Sequence, residues 1–596
     1  MPYQAPTADQ LFVLKDVLGL ETYANLPKFA DAPMDLIEQI VEEGAKFCEN
    51  VLAPLNKVGD TQGCKWLPDN TVTTPDGFKE AYKQLVETGF PALAADPAHG
   101  GQGLPGVINV AFSEASSSSN MAFSMFPGLT SGNYAAIASR GSDEQKATYC
   151  AKLASGEWSG TMNLTEPHCG TDLGLLRTKA VPRGDGTYRI SGQKIWISAG
   201  EHDVSENIIH LVLARIEGAP PGVKGISLFI VPKYIPNADG SPGARNEGVK
   251  CAGLEHKMGI HGNPTCVMAY DDAIGYLIGE ENGGLSIMFI MMNEARLWVG
   301  LQGLSQAEAA YQAAVTFAKE RLQGRSLTGP KNPDGPADPI IVHPDVRRML
   351  MESKATIEGM RALLYWTILQ EDLAHVHPDE QARQKAGDLV GLMTPICKAY
   401  LTDKGFEIAS LAMQVHGGSG FTEHFPASQY LRDSRITMIY EGTNGIQALD
   451  LVGRKLPAKG GRAAMALLAE LNAVAADAGE DPAVAPYVDA LNTARERLQD
   501  ATGWLMQNAM ANPDNAGAAS TDFLRLVTLA GLCMVWTKAA KIAAARVAAG
   551  DSNPFYANKL ATGRFFLERI APEGALHLTR MKTGAAAMMA LPAEAF

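Results

Sequence analysis

A chain of 596 residues with 46% apolar residues is too long for one core, and about three to four domains are expected. Its net charge of −14, from 65 acidic and 51 basic residues, argues against nucleic acid or an anionic membrane as the principal partner. Eight cysteines without a CxxC spacing point to reduced thiols in a cytoplasmic compartment, and to neither a structural zinc site nor a disulfide framework.

The start, MPYQAPTADQ, lacks a basic stretch followed by an apolar core, so no signal peptide is read. From Pro33, MDLIEQIVEEGAKFCENVLAPLNKVG sets Leu36, Ile40 and Ala45 near one helical face. After the loop AADPAHGGQGLPG, helical text continues to Glu157. At Trp158 the texture changes. GTYRISGQKIWIS alternates Tyr188 with Ile190 and Ile195 with Ile197 around a Ser-Gly turn, and NIIHLVLARI, GISLFIVPK and TCVMAYDDAIGYLIG are further strand-like runs. Short strands with no helix between them predict a mostly antiparallel sandwich or barrel.

Helical spacing returns at Leu297, Leu301, Leu304 and Tyr311. LTGPKNPDGPADPIIVHP, with five prolines, reads as a long surface insertion. Helices over Asp345–Gln370 and Asp379–His416 then complete a bundle. Beyond GRKLPAKGGR, a linker, the Ala-rich text of 463–596 is helical again and reads as a separate module or an oligomerisation element. The longest uncharged apolar runs, such as Leu285–Met292, fall short of the ~20 residues of a membrane span. The expected fold is α+β: a helical domain over 1–157, a β-sandwich or barrel over 158–285, a four-helix bundle over 286–455 and an additional helical domain over 456–596.

In TMIYEGTNGIQ, Glu441 stands between an apolar run and a glycine-rich tetrapeptide. Alone it reads as a turn acid. HGGSG does not follow a strand of a βαβ unit, so a nicotinamide-type Rossmann reading has no support and a tight inter-helix turn is the plainer account. The pair His168-Cys169 invites a metal or nucleophile reading, but no further ligand stands at a suitable spacing and no metal is expected.

Taken together, NLTEPHCGTDL with GQKIWIS, then AKERLQGR, MQVHGGSGF and YLRDSRITMIYEGTNGIQ resemble, in order and spacing, the signatures of the flavin-dependent acyl-CoA dehydrogenases. The long amino-terminal segment, the proline-rich insertion and the extra carboxy-terminal helices look like the 3-methylmercaptopropionyl-CoA dehydrogenase-type subfamily. The resemblance implies FAD as cofactor and Glu441 as the base that takes the α-proton of an acyl-CoA while a hydride leaves the β-carbon for the flavin. Such a proton is a weak acid, so the base needs a raised pKa, which the apolar "MIY" is expected to provide by drying the carboxylate, and the enolate oxygen needs a donor.

Carried over by resemblance, flavin contacts fall on Met162, Leu164, Thr165, Trp196 and Ser198. Arg321 is implied on the FAD pyrophosphate across a subunit interface, Gln414 and Gly418 on the adenine side, and Thr443, Asn444 and Gly445 on the pyrophosphate. Thr171 is implied near the pantetheine, Arg296 near the adenine or phosphate end of CoA, and Tyr440 and Gly442 beside the thioester. Taken singly, Trp196 reads as β-core and Arg296 as the ion-pair partner of Glu294 or another acid. Some relatives place their base just before the arginine at 296, but here that residue is Ala295, and Glu294 points about 100° away on a helix.

The implied reaction yields a trans-2-enoyl-CoA from 3-methylthiopropanoyl-CoA or a medium- to long-chain acyl-CoA, with an electron-transfer flavoprotein as acceptor and a homodimer or tetramer as assembly. Two alternatives stay open. One is an acyl-CoA oxidase; the other is a DNA-associated flavoprotein similar to the alkylation-response members, for which residues 521–582 offer nine basic against four acidic residues.

Overall fold

The structure, a computed structural model, describes residues 3–596. The first half-layer is helical: α1 (Thr7–Leu11), α2 (Met34–Phe47), α3 (Ala53–Gln62), α4 (Phe78–Thr88), α5 (Gly106–Ser119), α6 (Met121–Arg140) and α7 (Asp143–Ser155). On α2 the residues Ile37, Ile40, Val41 and Ala45 are buried, as the three- and four-residue spacing requires. A capping box formed by Ser142 and Gln145 starts α7.

Seven strands follow: β1 (Trp158–Asn163), β2 (Lys179–Pro182), β3 (Tyr188–Ser198), β4 (Asn207–Ile216), β5 (Ser227–Pro232), β6 (Val249–Leu254) and β7 (Thr265–Ile278). β4, β5, β7, β3 and β2 pair in a closed ring, β1 extends it on β4, and β6 extends it on β7. The β1–β4 and β2–β4 pairs are parallel and the rest antiparallel. The expected Ser-Gly turn is absent: Ser191 and Gly192 lie inside β3, because a side chain at 192 would fall 2.5 Å from Thr178 Oγ1 on the neighbouring segment, so glycine serves close packing there.

Three long helices form the next layer, α8 (Gly284–Glu320), α9 (Pro344–Val376) and α10 (Glu380–His416), followed by α11 (Ala427–Arg435) and α12 (Asn444–Asp450). Helix α9 runs six residues beyond Gln370, up to the X-Pro step at His377. The proline-rich insertion is ordered around the buried Asp338, whose carboxylate accepts from the backbone N–H groups of Ser326 (2.8 Å), Lys331 (2.9 Å) and Asn332 (2.7 Å).

The last five helices are α13 (Arg462–Asp477), α14 (Ala485–Ala511), α15 (Pro513–Ala548), α16 (Pro554–Arg569) and α17 (Glu573–Met581). They share their core with the rest of the chain. Leu467, Leu491, Phe523, Trp536 and Phe566 belong to one continuous core with Phe12, Leu363 and Leu392 of the amino-terminal segment, α9 and α10. By length and mean hydropathy (1.4) α15 could cross a membrane, a length of apolar helix that no single uncharged run reveals; 78% of its apolar window is buried among the other helices. A helix apolar all round is a core helix when it is enclosed this way.

One buried ionic cluster ties these layers together. Arg361 of α9, 1% exposed, donates to Glu114 of α5 (2.6 Å), Glu308 of α8 (2.6 Å) and Asp9 of α1 (2.5 Å). Lys559 of α16 joins the same Asp9 and also Glu358 of α9 (2.6 Å). Breaking a buried pair by removing one partner strands the other charges. Arg361→Met is therefore expected to lower stability by about 3–5 kcal/mol, read as a lower denaturant midpoint of the full chain; an unchanged midpoint would mean the cluster is not a clamp.

Candidate active site

A cavity of about 130 Å³ lies between α5, α6 and α8, and the turn carrying Tyr440 and Glu441 closes one side of it. Phe90, Phe112, Met125, Leu129 and Trp298 give it apolar walls. The expected drying by "MIY" is corrected: Tyr440 lines the cavity, but Ile439 is 46% exposed on the other side of the turn. The helical turn Ile436–Met438 ends before Ile439, whose side chain stays exposed while that of Tyr440 reaches the cavity wall.

Glu441 has a left-handed backbone at φ +58°, followed by Gly442 at φ +85°. A non-glycine residue held there costs about 1–3 kcal/mol and needs the surroundings to fix it. Two side chains do so. Gln447 Nε2 donates to the carbonyls of Glu441 (2.9 Å) and Gly442 (3.2 Å), and Lys398 Nζ donates to the carbonyl of Gly442 and to Asn444 Oδ1, both at 2.8 Å. A Cβ at 442 would sit 2.8 Å from Gln447 Nε2, so glycine is needed on two counts.

Burial pushes the Glu441 carboxyl up to about 7, with the Arg296 and Lys398 charges pulling the other way. Burial likewise pushes Lys398 down to about 7, opposed by Glu441 and Asp403. Arg296, 6% exposed, lies 3.5 Å from Asp450 Oδ2, so its ion-pair partner is Asp450 and not Glu294. Glu294 accepts instead from Ser131 Oγ (2.9 Å), while Ala295 lines the cavity.

The sequence-predicted residues fall into two groups. Met162, Leu164, Thr165, Trp196 and Ser198 lie on β1, the loop after it and β3: Ser198 lines the cavity with Glu441, Ile195 N–H donates to the Thr165 carbonyl (2.9 Å), and Lys194 Nζ donates to that of Leu164 (2.9 Å). Trp196 is not β-core. It is 61% exposed, at φ +60° within β3. Among the described residues, the N–H groups of Leu164 and Thr165 and the Thr165 hydroxyl meet no protein acceptor. An uncovered indole flanked by unspent donors suits a planar ring with a polar edge, so these residues fit the isoalloxazine of a flavin.

Arg321, Gln414 and Gly418 are exposed at the far ends of α8 and α10. Along α8 that is roughly 28 Å from Gln302, a cavity residue. Thr171 is exposed in the loop after β1. Thr443 and Gly445 are exposed at the start of α12, but the Asn444 side chain turns inward, donating to Asp403 Oδ1 (2.6 Å), Thr402 Oγ1 (2.9 Å) and the Ala399 carbonyl (3.1 Å). Only its backbone N–H is left for a phosphate.

Lys398, Gln447, Gln302 and the cavity serines of α5 and α6 escaped the sequence reading. Lys398 had a signal: a lone cation in the apolar helical run LMTPICKAYL has to be paired or functional. Glu166 also escaped it, lying with His168 and Cys169 so that one ligand atom of each falls within 4.8 Å of the others. Its carboxylate is spent, however, on Lys194 Nζ (2.9 Å), Thr178 Oγ1 (2.6 Å) and two backbone N–H groups.

A carboxyl held near 7 titrates where ordinary glutamates are already ionised. The expected result is an infrared carboxyl band that disappears as pH rises through about 7 and is missing in Glu441→Gln; a band lost near pH 4.5 would mean the site is wet.

Comparisons with known proteins agree with this geometry. Residues 35–157, 161–273 and 282–456 match the family descriptions "Acyl-CoA dehydrogenase" N-terminal, middle and C-terminal domain, and 467–592 match "Acetyl-CoA dehydrogenase C-terminal like". The chain is 43% identical to the 3-methylmercaptopropionyl-CoA dehydrogenase of Ruegeria pomeroyi, over 96% of this chain and 97% of that protein. It is 34% identical to a broad-specificity linear acyl-CoA dehydrogenase, FadE5, of Mycobacterium tuberculosis, over 96% of each. A solved acyl-CoA dehydrogenase complexed with FAD, from Bacillus anthracis, shares the fold at a TM-score of 0.73 and 22% identity, covering 92% of this chain and 88% of that one. With its three core domains and its extra helices all matched, the chain belongs to the acyl-CoA dehydrogenase family.

Proposed function

We propose that Glu441 is the base of this FAD-dependent acyl-CoA dehydrogenase, and that its acyl group is short, with 3-methylthiopropanoyl-CoA as the leading substrate. The observation that carries the reading is the Glu441 carboxyl, raised to about 7 and set on the cavity wall. FAD, when bound beside Trp196, supplies the acceptor for the hydride that leaves the substrate β-carbon.

The chain's own residues account for the rest. Glu441 takes the α-proton, and at neutral pH it is about half ionised yet a far stronger base than an exposed glutamate. Phe90, Phe112 and Trp298 keep water from the enolate. The charge that develops on the thioester oxygen needs a donor, and the Glu441 N–H, with no acceptor among the described residues, is free to be one.

The cavity favours a short chain because Asn109 Oδ1 and Ser117 Oγ in its lining have no partner among the described residues, and a long alkyl chain would leave them unpaired. A thioether is polarisable and a weak acceptor, so it suits such a wall. The name of the Ruegeria pomeroyi relative supports the same choice.

Partners follow from the same reading. Arg321 stands roughly 28 Å along α8 from the cavity residue Gln302, and Gln414 and Gly418 are exposed at the end of α10, so all three are assigned to the FAD of a second subunit in a homo-oligomer. An electron-transfer flavoprotein is the proposed acceptor. The DNA-associated alternative loses its footing: Arg525, Lys541, Arg546, Lys559, Arg564 and Lys582 are all ion-paired with acids.

Anaerobic flavin bleaching with a panel of acyl-CoA thioesters tests the proposal. Butanoyl- and 3-methylthiopropanoyl-CoA are expected to bleach fastest and palmitoyl-CoA slowest, and Glu441→Gln to slow every one by about 10²–10⁴-fold. Wild-type rates in Glu441→Gln would remove the base, palmitoyl-CoA as best substrate would remove the chain-length assignment, and oxygen uptake without an added acceptor would favour an oxidase.

A further inference from the structure

The carboxy-terminal helices contribute no residue to the cavity wall, yet α15 packs along α12, which begins three residues after Glu441. A run of polar contacts crosses that seam. Arg525 of α15 donates through Nη2 to Asp403 Oδ2 (2.5 Å) on α10, and its guanidinium lies 5.1 Å from the centre of the Tyr400 ring. The other oxygen of Asp403 accepts from Asn444 Nδ2 (2.6 Å). Asn444 Oδ1 accepts from Lys398 Nζ (2.8 Å), and the same ammonium donates to the Gly442 carbonyl (2.8 Å). The contacts are sheltered: Lys398 is fully buried, and the Arg525 and Asp403 side chains are 14% and 16% exposed.

From these contacts we infer that Arg525 is a positioning residue for the base: through Asp403, Asn444 and Lys398 it holds the Glu441–Gly442 turn in its left-handed conformation. This rests on Glu441 being the base, as proposed above. Asp403 divides its two oxygens between Arg525 and Asn444, and Lys398 divides its donors between Asn444 and the turn. With Arg525 removed, Asp403 becomes a sheltered anion without its cation, and Lys398, five residues earlier on α10, is the other cation whose charge acts on it. Drawing Lys398 toward Asp403 takes a donor from the Gly442 carbonyl and a positive charge from Glu441.

The direction of the pH effect follows once the surrounding charges are set out. Glu441 is influenced by Arg296 from α8 and Lys398 from α10; Asp450 of α12 pairs with Arg296, and Arg454 and Lys455 follow α12. Asp403 and Arg525 stand behind Lys398. Weakening the hold of Lys398 leaves Glu441 with Arg296 alone, so its proton is held more tightly and the acid limb of the rate profile moves to higher pH.

The test uses the FAD-loaded full chain and compares Arg525→Met, the milder Arg525→Gln, Arg525→Lys and Glu441→Gln, each checked for flavin content. The first two are expected to lower kcat by about tenfold or more, leave KM within about twofold, and raise the acid limb by about half to one pH unit. Arg525→Lys, which keeps the charge, is expected to recover most of both. Wild-type kcat and acid limb in Arg525→Met and Arg525→Gln, with Glu441→Gln inactive, would overturn the positioning role while sparing the base. An active Glu441→Gln would instead remove the base itself. A fall in kcat with no change in the acid limb, unrelieved by Arg525→Lys, would mark a merely structural contact and also overturn it.

Discussion

The Arg361 guanidinium, enclosed by Asp9, Glu114 and Glu308, is the contact on which the arrangement rests. Its donors have no water to turn to, so each must meet an acceptor. Tyr365 adds a hydroxyl to Glu114 (2.6 Å), and Gln10 adds an amide to the Ala111 carbonyl (3.1 Å). Glu114 and Glu308 belong to α5 and α8, which are two walls of the cavity. The spacing between those walls is thus fixed by charge, while the walls themselves are chosen for being apolar.

A second constraint is steric. Helices α8 and α10 approach so closely that a side chain at Gly303 would fall 2.5 Å from the Leu401 carbonyl, and one at Gly405 would fall 2.4 Å from that of Gly303. Glycine at these contacts lets the two backbones meet. Lys398, just before this contact on α10, is carried against the Glu441 turn, where water is excluded and its charge is felt. The same exclusion raises the pKa of Glu441 and lowers that of Lys398, so carboxyl and ammonium are tuned by one environment.

Much of this was legible in the sequence because it is local. The apolar run NIIHLVLARI read as a strand and is one of the barrel, and the glycine in EGTNGIQ stands at a left-handed position after Glu441. What was not legible depends on distant partners. Nothing near Arg296 in the chain names Asp450, 154 residues away, as its partner, and nothing near Arg525 names Asp403. The MIY reading failed for a different reason: three adjacent apolar residues were taken as one wall, but on a tight turn they face different ways. The Ala-rich tail showed its helices in composition but not the core it shares with α9 and α10, which only the packing of α15 reveals.

The bond between Asp9 and Lys559 spans 550 residues of chain. At ~5–20 residues per second, roughly half a minute to two minutes separate the synthesis of its two ends. Arg361 arrives in between, 352 residues after Asp9, to meet carboxylates already waiting on the amino-terminal helices. The cavity walls therefore stay loosely spaced on the ribosome until α9 emerges, and a nascent chain cut short before α16 leaves Asp9 and Glu358 without the ammonium of Lys559.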